Sequence, residues 1–217
     1  NKMHLKRQEA PKNWPIERKG TKYVVSPKFN LKQGVPILIV LRDMLKVAKD
    51  RREVKKSLHD RNLILNGKLV FDDKVGMALF DKLTIISSKR HYEMGLSQSG
   101  KFLVYEIKEP KTERKVAKII NKKILKGKKT QINLSDGNNF ISNTKCGVNS
   151  SVVIDFKEKK ISKCLPFEEK ASVMIFAGKH AGKKGVITKI NKERQMVELE
   201  TESSKINVLI KQIIVIE

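Results

Sequence analysis

The sequence predicts an α+β multidomain protein, and three observations carry that expectation. Two amphipathic helical patterns after Val35 run into a hairpin signal at Asn66-Gly67. Short apolar runs at a spacing of roughly 10–15 residues then fill the middle of the chain, as in small all-β domains. Near the C-terminus a basic loop punctuated by Gly178, Gly182 and Gly185 lies among further strand-like runs. These divide the chain into a basic extended arm (1–34), a module of two helices and a hairpin (35–94), an all-β middle domain (95–166) and a terminal group of strands around the glycine loop (167–217).

Composition bounds the partners. The chain has 217 residues, with Lys+Arg 47 against Asp+Glu 23 and a formal net charge of +24. Such a surplus calls for a polyanion, because self-repulsion otherwise opposes the compact state. Hydrophobic residues at 39% supply packed cores, so wholesale disorder is not expected. No apolar run approaches the ~18–20 residues of a membrane span, and the N-terminus shows no signal-peptide apolar region, so neither membrane insertion nor secretion is expected. Cys146 and Cys164 lack a Cys-x-x-Cys partner, and His4, His59, His91 and His180 show no paired spacing. A zinc site needs four N/S ligands, so the expectation is two reduced thiols, no metal and no cofactor.

The arm is punctuated by Pro11, Pro15, Gly20, Pro27 and Gly34 and shows little hydrophobic periodicity. A segment without its own core orders against a partner. Trp14 is its one indole, placed either to stack on a base or to dock on protein. The first helix opens at Pro36, which suits the first helical position, and turns Ile37, Leu38, Leu41, Leu45 and Ala48 inward. Asp50 is the expected N-cap of a second helix from Arg51, with Glu53 in capping-box spacing and Val54 and Leu58 inward. Asn66-Gly67 between Leu63-Ile64-Leu65 and Lys68-Leu69-Val70 requires positive φ at both residues, the signature of a type I′ hairpin.

Gly95–Gly100 reads as a domain boundary, followed by strands at Lys101–Ile107, Val116–Leu125, Thr130–Leu134, Val152–Asp155 and Lys160-Ile161. Ser135–Asn139 has turn chemistry. Beyond Leu165-Pro166, strands are expected at Ser172–Phe176, Val186–Ile190, Gln195–Glu200 and Ile206–Ile210 around the glycine loop. A phosphate-binding loop needs G-x-x-x-x-G-K-[ST] before a helix. Here Val186 and a strand follow Gly185, so that reading fails. No paired carboxylates or nucleophile–histidine sets stand out; Asp72-Asp73 reads as turn residues, and no catalytic residue is named.

Three segments carry resemblances. The order Leu38, Leu41-Arg42, Leu45-Lys46, Ala48, Glu53-Val54-Lys55-Lys56, Arg61 and Asn66-Gly67-Lys68 closely resembles the αL RNA-binding motif. Gly178-Lys179-His180-Ala181-Gly182-Lys183-Lys184-Gly185-Val186 resembles the KOW motif, a small SH3-like barrel. With the arm residues His4-Leu5-Lys6-Arg7, Ala10-Pro11-Lys12 and Trp14, the colinear set resembles the small-subunit ribosomal protein family numbered four, in its archaeal and eukaryotic form. The likeness covers essentially the whole chain. It departs at Phe71-Asp72-Asp73-Lys74-Val75-Gly76-Met77, where a Tyr-Pro segment is expected, and past Glu217, where many members carry a further segment.

That resemblance implies a non-enzymatic constituent of the small ribosomal subunit, in the cytoplasm and, for a eukaryote, the nucleolus during assembly. It implies small-subunit ribosomal RNA and neighbouring ribosomal proteins as partners, with no small-molecule substrate. Lysine and arginine would neutralise phosphates and release counterions, while the narrow A-form major groove leaves shape and backbone to be read. The expected RNA contacts are Lys2, His4, Lys6, Arg7, Lys12 and Trp14 in the arm. In the helical module they are Arg42, Lys46, Lys49, Arg51, Arg52, Lys55, Lys56 and Arg61, and in the barrel loop Lys179, His180, Lys183 and Lys184. The alternatives are an RNA-modifying enzyme bearing an αL module and a KOW-containing transcription factor. The stretch between Lys89 and Lys170 offers the first neither a cofactor-binding turn nor a large catalytic domain.

Overall fold

The computed structural model describes residues 4–28, 30–108, 114–142, 146–201 and 204–216. It is mostly β, with two α-helices among the described residues. The chain divides into two compact units, Asn1–Leu96 with Lys101–Glu113, and Ser97–Gly100 with Arg114–Glu217.

In the first unit the arm is folded rather than extended. Strand β1 (Leu5–Lys6) pairs antiparallel with β2 (Tyr23–Val24), and a 3-10 turn at Arg7–Glu9 starts the return loop. Leu5 and Trp14 are buried. The Trp14 indole N–H donates to the Gly34 carbonyl at 3.0 Å, and the Phe102 N–H donates to the Asn13 carbonyl at 2.9 Å. Two apolar side chains and a few backbone bonds therefore dock a segment that shows no hydrophobic period. A buried indole removes about 150–250 Å² from water and needs a partner for its N–H, and it has both here.

After β3 (Gly34–Pro36), helix α1 (Ile37–Ile39) continues only as a π turn over Val40–Met44. Lys46 has a φ of 54° and Ala48 lies outside the helix, so the expected long amphipathic helix is cut short. Pro36 sits one place earlier than expected, as the extended cap (φ −58°, ψ 142°). The end is made at Lys46: its left-handed φ turns the chain back, and the Leu45 and Val47 N–H groups donate to the carbonyls of Val40 and Leu41, closing the last turn. Every residue from Val35 to Leu41 is buried.

Helix α2 (Arg51–His59) meets its expectation. The Asp50 carboxylate accepts from the Arg52 and Glu53 N–H groups at 2.7 and 3.0 Å, and Val54 and Leu58 are buried. Glu53 reaches back to the Lys49 N–H at 2.7 Å, one residue earlier than a capping box prescribes. Strands β4 (Leu63–Leu65) and β5 (Lys68–Leu69) are joined by Asn66 at φ 50° and Gly67 at φ 75°, the positive pair the hairpin requires.

Strand β6 (Gly76–Ala78) pairs with β3. Strands β7 (Lys82–Ile85), β8 (Arg90–Leu96) and β9 (Phe102–Ile107) complete a five-stranded sheet of order β5-β4-β7-β8-β9. Its buried residues include Leu63, Leu65, Leu83, Ile85, Met94 and Phe102. Strand β9, expected to open the middle domain, thus closes the sheet of the first unit.

The second unit holds two five-stranded antiparallel sheets. The first, of order β12-β11-β10-β13-β14, comprises β10 (Arg114–Ile124), β11 (Thr130–Leu134), β12 (Asn139–Ile141), β13 (Ser151–Asp155) and β14 (Lys160–Leu165). Ala117, Ile119, Ile132, Leu134, Val152 and Ile154 form its core. The second, of order β18-β17-β16-β15-β19, comprises β15 (Ser172–Ile175), β16 (Lys184–Asn191), β17 (Met196–Glu200), β18 (Lys205–Leu209) and β19 (Ile213–Val215). Val173, Ile175, Ile187, Leu199, Val208 and Ile213 pack its core together with Val153 and Leu165 from the neighbouring sheet.

Two polar ties join these sheets. Lys118 and Ser151 are cross-strand partners on β10 and β13. The buried Lys118 ammonium donates to the carbonyls of Ile210 and Ile213, the latter at 2.9 Å, and the Ser151 hydroxyl accepts from the Val215 N–H at 3.0 Å. Burial lowers the Lys118 pKa to about 8. Within the first sheet, Lys115 and Asp136 form a buried ion pair at 2.8 Å. Cys146 and Cys164, expected as separate reduced thiols, are instead joined as a disulfide with their Cα atoms 6.1 Å apart.

Candidate nucleic-acid interface

Helix α2 carries the clearest cationic face. Arg52, Lys55 and Lys56 stand at i, i+3 and i+4, neighbouring positions on one side of a helix, and all three are exposed. None of the three has an ion pair among the described residues. Lys46, Lys49 and Arg61 are also exposed, and Lys46 and Arg61 take positive φ in the turns that bracket the helix (54° and 53°). Six of the eight cations expected in this module therefore face solvent without an ion pair among the described residues.

The other two are held by carboxylates. Arg42 makes a two-pronged pair with Asp43, at 3.0 and 2.8 Å. Arg51 donates through two of its nitrogens to Asp73, whose side chain is only 4% exposed. Arg51 is thus the counter-ion of a buried acid. Its neighbour Asp72 is held down at about pKa 2, first by the hydrogen bond from Lys28 and then by the Lys74 N–H. Both acids of the turn are engaged in structure.

In the arm, His4, Lys6 and Lys12 are exposed, while Lys2 lies outside the described residues. Arg7 is a fastener: its guanidinium donates to the Glu17 carbonyl at 2.7 Å, the Thr21 carbonyl at 2.8 Å and the Thr21 hydroxyl at 2.9 Å. Trp14, at 2% exposure, is docked on protein, and its faces are not open to a base. Sequence reasoning missed Tyr23, which is 50% exposed with the His4 ring at 5.5 Å and the Lys22 ammonium 5.5 Å from its centre. The available signal was a lysine–tyrosine pair in a basic, proline-rich segment, and it is weak.

In the second unit the glycine loop between β15 and β16 presents Lys179 and Lys184 to solvent, with His180 and Lys183 half-buried. Gly178 and Gly182 take φ of 89° and 91°. The close approach at Gly182 is internal, because a Cβ there would lie 1.8 Å from the Ser97 carbonyl oxygen. Lys179, His180 and Lys183 lie in the loop itself, and Lys184 opens β16, where it pairs with Met174. Among the described residues no group of three His, Cys, Asp or Glu side chains is placed to hold a metal ion, and no helix is long and apolar enough to cross a membrane.

The chain matches family models over three stretches: the RS4NT domain at residues 1–29, Ribosomal family S4e at 88–161 and the KOW motif at 169–200. It is 35% identical over 190 residues to the small ribosomal subunit protein eS4 of Methanocella arvoryzae, covering 86% of this chain and 80% of that one. It is 32% identical over 195 residues to the eS4 of Nanoarchaeum equitans, covering 88% and 83%. The crystal structure of the 30S ribosomal protein S4e from Thermoplasma acidophilum superposes with a TM-score of 0.73 at 23% identity, over 85% of this chain and 95% of that one, a likeness of fold. With relatives above 30% identity covered over four-fifths of their length, the chain belongs to the eS4 family of small-ribosomal-subunit proteins.

Proposed function

We propose that the chain is a structural constituent of the small ribosomal subunit that binds and stabilises small-subunit ribosomal RNA without catalysis, in contact with neighbouring ribosomal proteins in the cytoplasmic subunit (and, in a eukaryote, from its nucleolar assembly onward). Beyond family membership, the observation that carries this reading is the exposed cationic face of α2, Arg52, Lys55 and Lys56. A rigid row of charges at one-turn spacing follows a phosphate backbone and gains affinity by releasing its counterions. Helix α2 followed by the positive-φ hairpin supports reading the module as αL-like. Five antiparallel strands with a 3-10 turn at Ile210–Gln212 before the last support reading the C-terminal sheet as an SH3-like barrel, with Lys179 and Lys184 as further phosphate contacts.

Sedimentation of cell extract in moderate and then high salt tests the reading. Co-migration with small subunits that survives high salt is expected. Migration near the top of the gradient would overturn it.

A further inference from the structure

We propose that the β1–β2 ribbon is a stacking platform for one unpaired nucleobase, with Tyr23 as its floor. The inference rests on the RNA-binding reading above and names a site within it. Trp14, placed by the sequence either to stack on a base or to dock on protein, is buried, while Tyr23 is half-exposed.

The register explains how Tyr23 is presented. Leu5 pairs with Val24 and Lys6 with Tyr23. Directly opposed side chains share a face, so Leu5 turns inward, where it is buried, and Lys6 and Tyr23 turn outward together. His4 precedes the ribbon, and its ring lies 5.5 Å from that of Tyr23 at 49°. The Lys22 ammonium lies 5.5 Å from the ring centre, near the outer limit of a cation–π contact, so an arriving base displaces it readily. The phenol face is thereby bordered by a second ring and by the lysines Lys6 and Lys22, the composition that holds a single-stranded nucleotide by its base and its phosphates.

The platform is also held still. The Arg7 N–H donates to the Lys22 carbonyl at 3.0 Å, and the Arg7 guanidinium clamps Glu17 and Thr21 in the same return loop. Gly20, at φ 135°, lets that guanidinium pass, since a Cβ there would stand 3.1 Å from its central carbon. A ring on a clamped ribbon loses little freedom when a base lands on it. Isolated exposed tyrosines are ordinary on protein surfaces. A tyrosine flanked by an exposed histidine and two lysines on a braced ribbon has the makings of a site.

The test uses the full chain, a single-stranded RNA nonamer with 2-aminopurine at its centre, and a blunt RNA duplex of the same length. Wild type is expected to bind both and to quench the 2-aminopurine. Tyr23→Leu should weaken single-strand binding by about tenfold and remove the quench, leaving duplex affinity and the salt dependence intact. Tyr23→Phe should keep both, since stacking needs the ring and not the hydroxyl. Emission from the single tryptophan reports whether the arm is still docked. Wild-type affinity and quenching in Tyr23→Leu, with that emission unchanged, would overturn the platform alone. Failure of wild type to bind either RNA would overturn the RNA-binding reading and the platform with it. A second measurement needs no variant: irradiated 5-iodouridine RNA should crosslink at Tyr23, and adducts confined to other residues would overturn the platform.

Discussion

The indole of Trp14 is hydrogen-bonded to the carbonyl of Gly34, twenty residues further along the chain, at 3.0 Å. Both ends of that bond are constrained: Trp14 is 2% exposed, and a Cβ on Gly34 would lie 2.6 Å from the Met77 carbonyl oxygen. Trp14→Ala is therefore expected to destabilise the first unit by about 3–5 kcal/mol, the usual cost of emptying a large aromatic site. Urea denaturation measures it. A variant of wild-type stability would mean that the indole is not packed as described.

Arg51 and Lys55 lie on one helix but should fail differently. Arg51→Gln takes the cation away from the buried Asp73 carboxylate; with Arg51 itself 47% exposed, the unsatisfied acid is expected to cost about 1–3 kcal/mol. Lys55→Gln removes an exposed charge and should leave stability within about 0.5 kcal/mol while reducing the log–log salt slope of RNA binding by about 0.7–0.9. An unchanged slope in Lys55→Gln, Lys56→Gln and Arg52→Gln together would place RNA elsewhere.

Lys118 sets an alkaline dependence. Its pKa is about 8 in the folded chain, against 10.5 for an unperturbed lysine, so the unfolded chain binds more protons between those values. Stability should rise as pH climbs through that window, because the buried amine sheds its charge there. The gain is at most about 3 kcal/mol at 1.36 kcal/mol per unit. Lys118→Met should lack this component, and the wild-type minus variant difference in ΔG between pH 7.5 and about 10.5 isolates it from the other lysines. A pH-independent difference would refute the assignment.

The Lys115–Asp136 pair governs the opposite limb. Burial alone pushes the Asp136 carboxyl up, but Lys115 and the Asn138 hydrogen bonds outweigh it and hold the group below its ordinary value. Its stabilisation is complete above the unfolded carboxylate pKa and is lost as pH falls through the folded one. Without the ammonium, burial prevails. Lys115→Met should cost about 3–5 kcal/mol near neutrality and move the acid-unfolding midpoint to higher pH, as followed by circular dichroism.

Gly182 and Gly137 form a matched pair, with φ of 91° and 85°. Alanine at Gly137 meets nothing within 4 Å, so it should incur only the backbone strain, about 1–2 kcal/mol. Alanine at Gly182 would place its Cβ 1.8 Å from the Ser97 carbonyl oxygen and should cost clearly more. Equal melting temperatures for the two variants would mean that the Ser97 contact does not exist.

The features legible in the sequence were those written in local chemistry. Asp50 with Glu53 marked the start of α2, Asn66-Gly67 the hairpin, and alternating apolar residues most strands of the second unit. What escaped depends on tertiary surroundings. The helix after Pro36 stops early where Lys46 takes a left-handed φ, which a lysine in an amphipathic pattern does not reveal. Strand β9 reads equally well as belonging to either neighbour, since a six-residue apolar run does not name its partner. In the candidate site, charge identified the cations but not their carboxylates: nothing local tells Arg51 from Arg52, although one is tied to Asp73 and the other is free of ion pairs among the described residues. The same gap hides that Trp14 is buried while Tyr23 is exposed.

The grip of Lys118 and Ser151 on residues 210–215 also orders events in time. A chain leaves the ribosome from its N-terminus, and its domains fold as units when they are complete. The first unit has all its strands once β9 has emerged. The second does not: Lys118 waits for its two carbonyl acceptors and Ser151 for its N–H donor until residues 210–215 have been made. Translation thus delivers a finished first unit, with the α2 cations already displayed, tethered to a second that closes only after residues 210–215 have emerged.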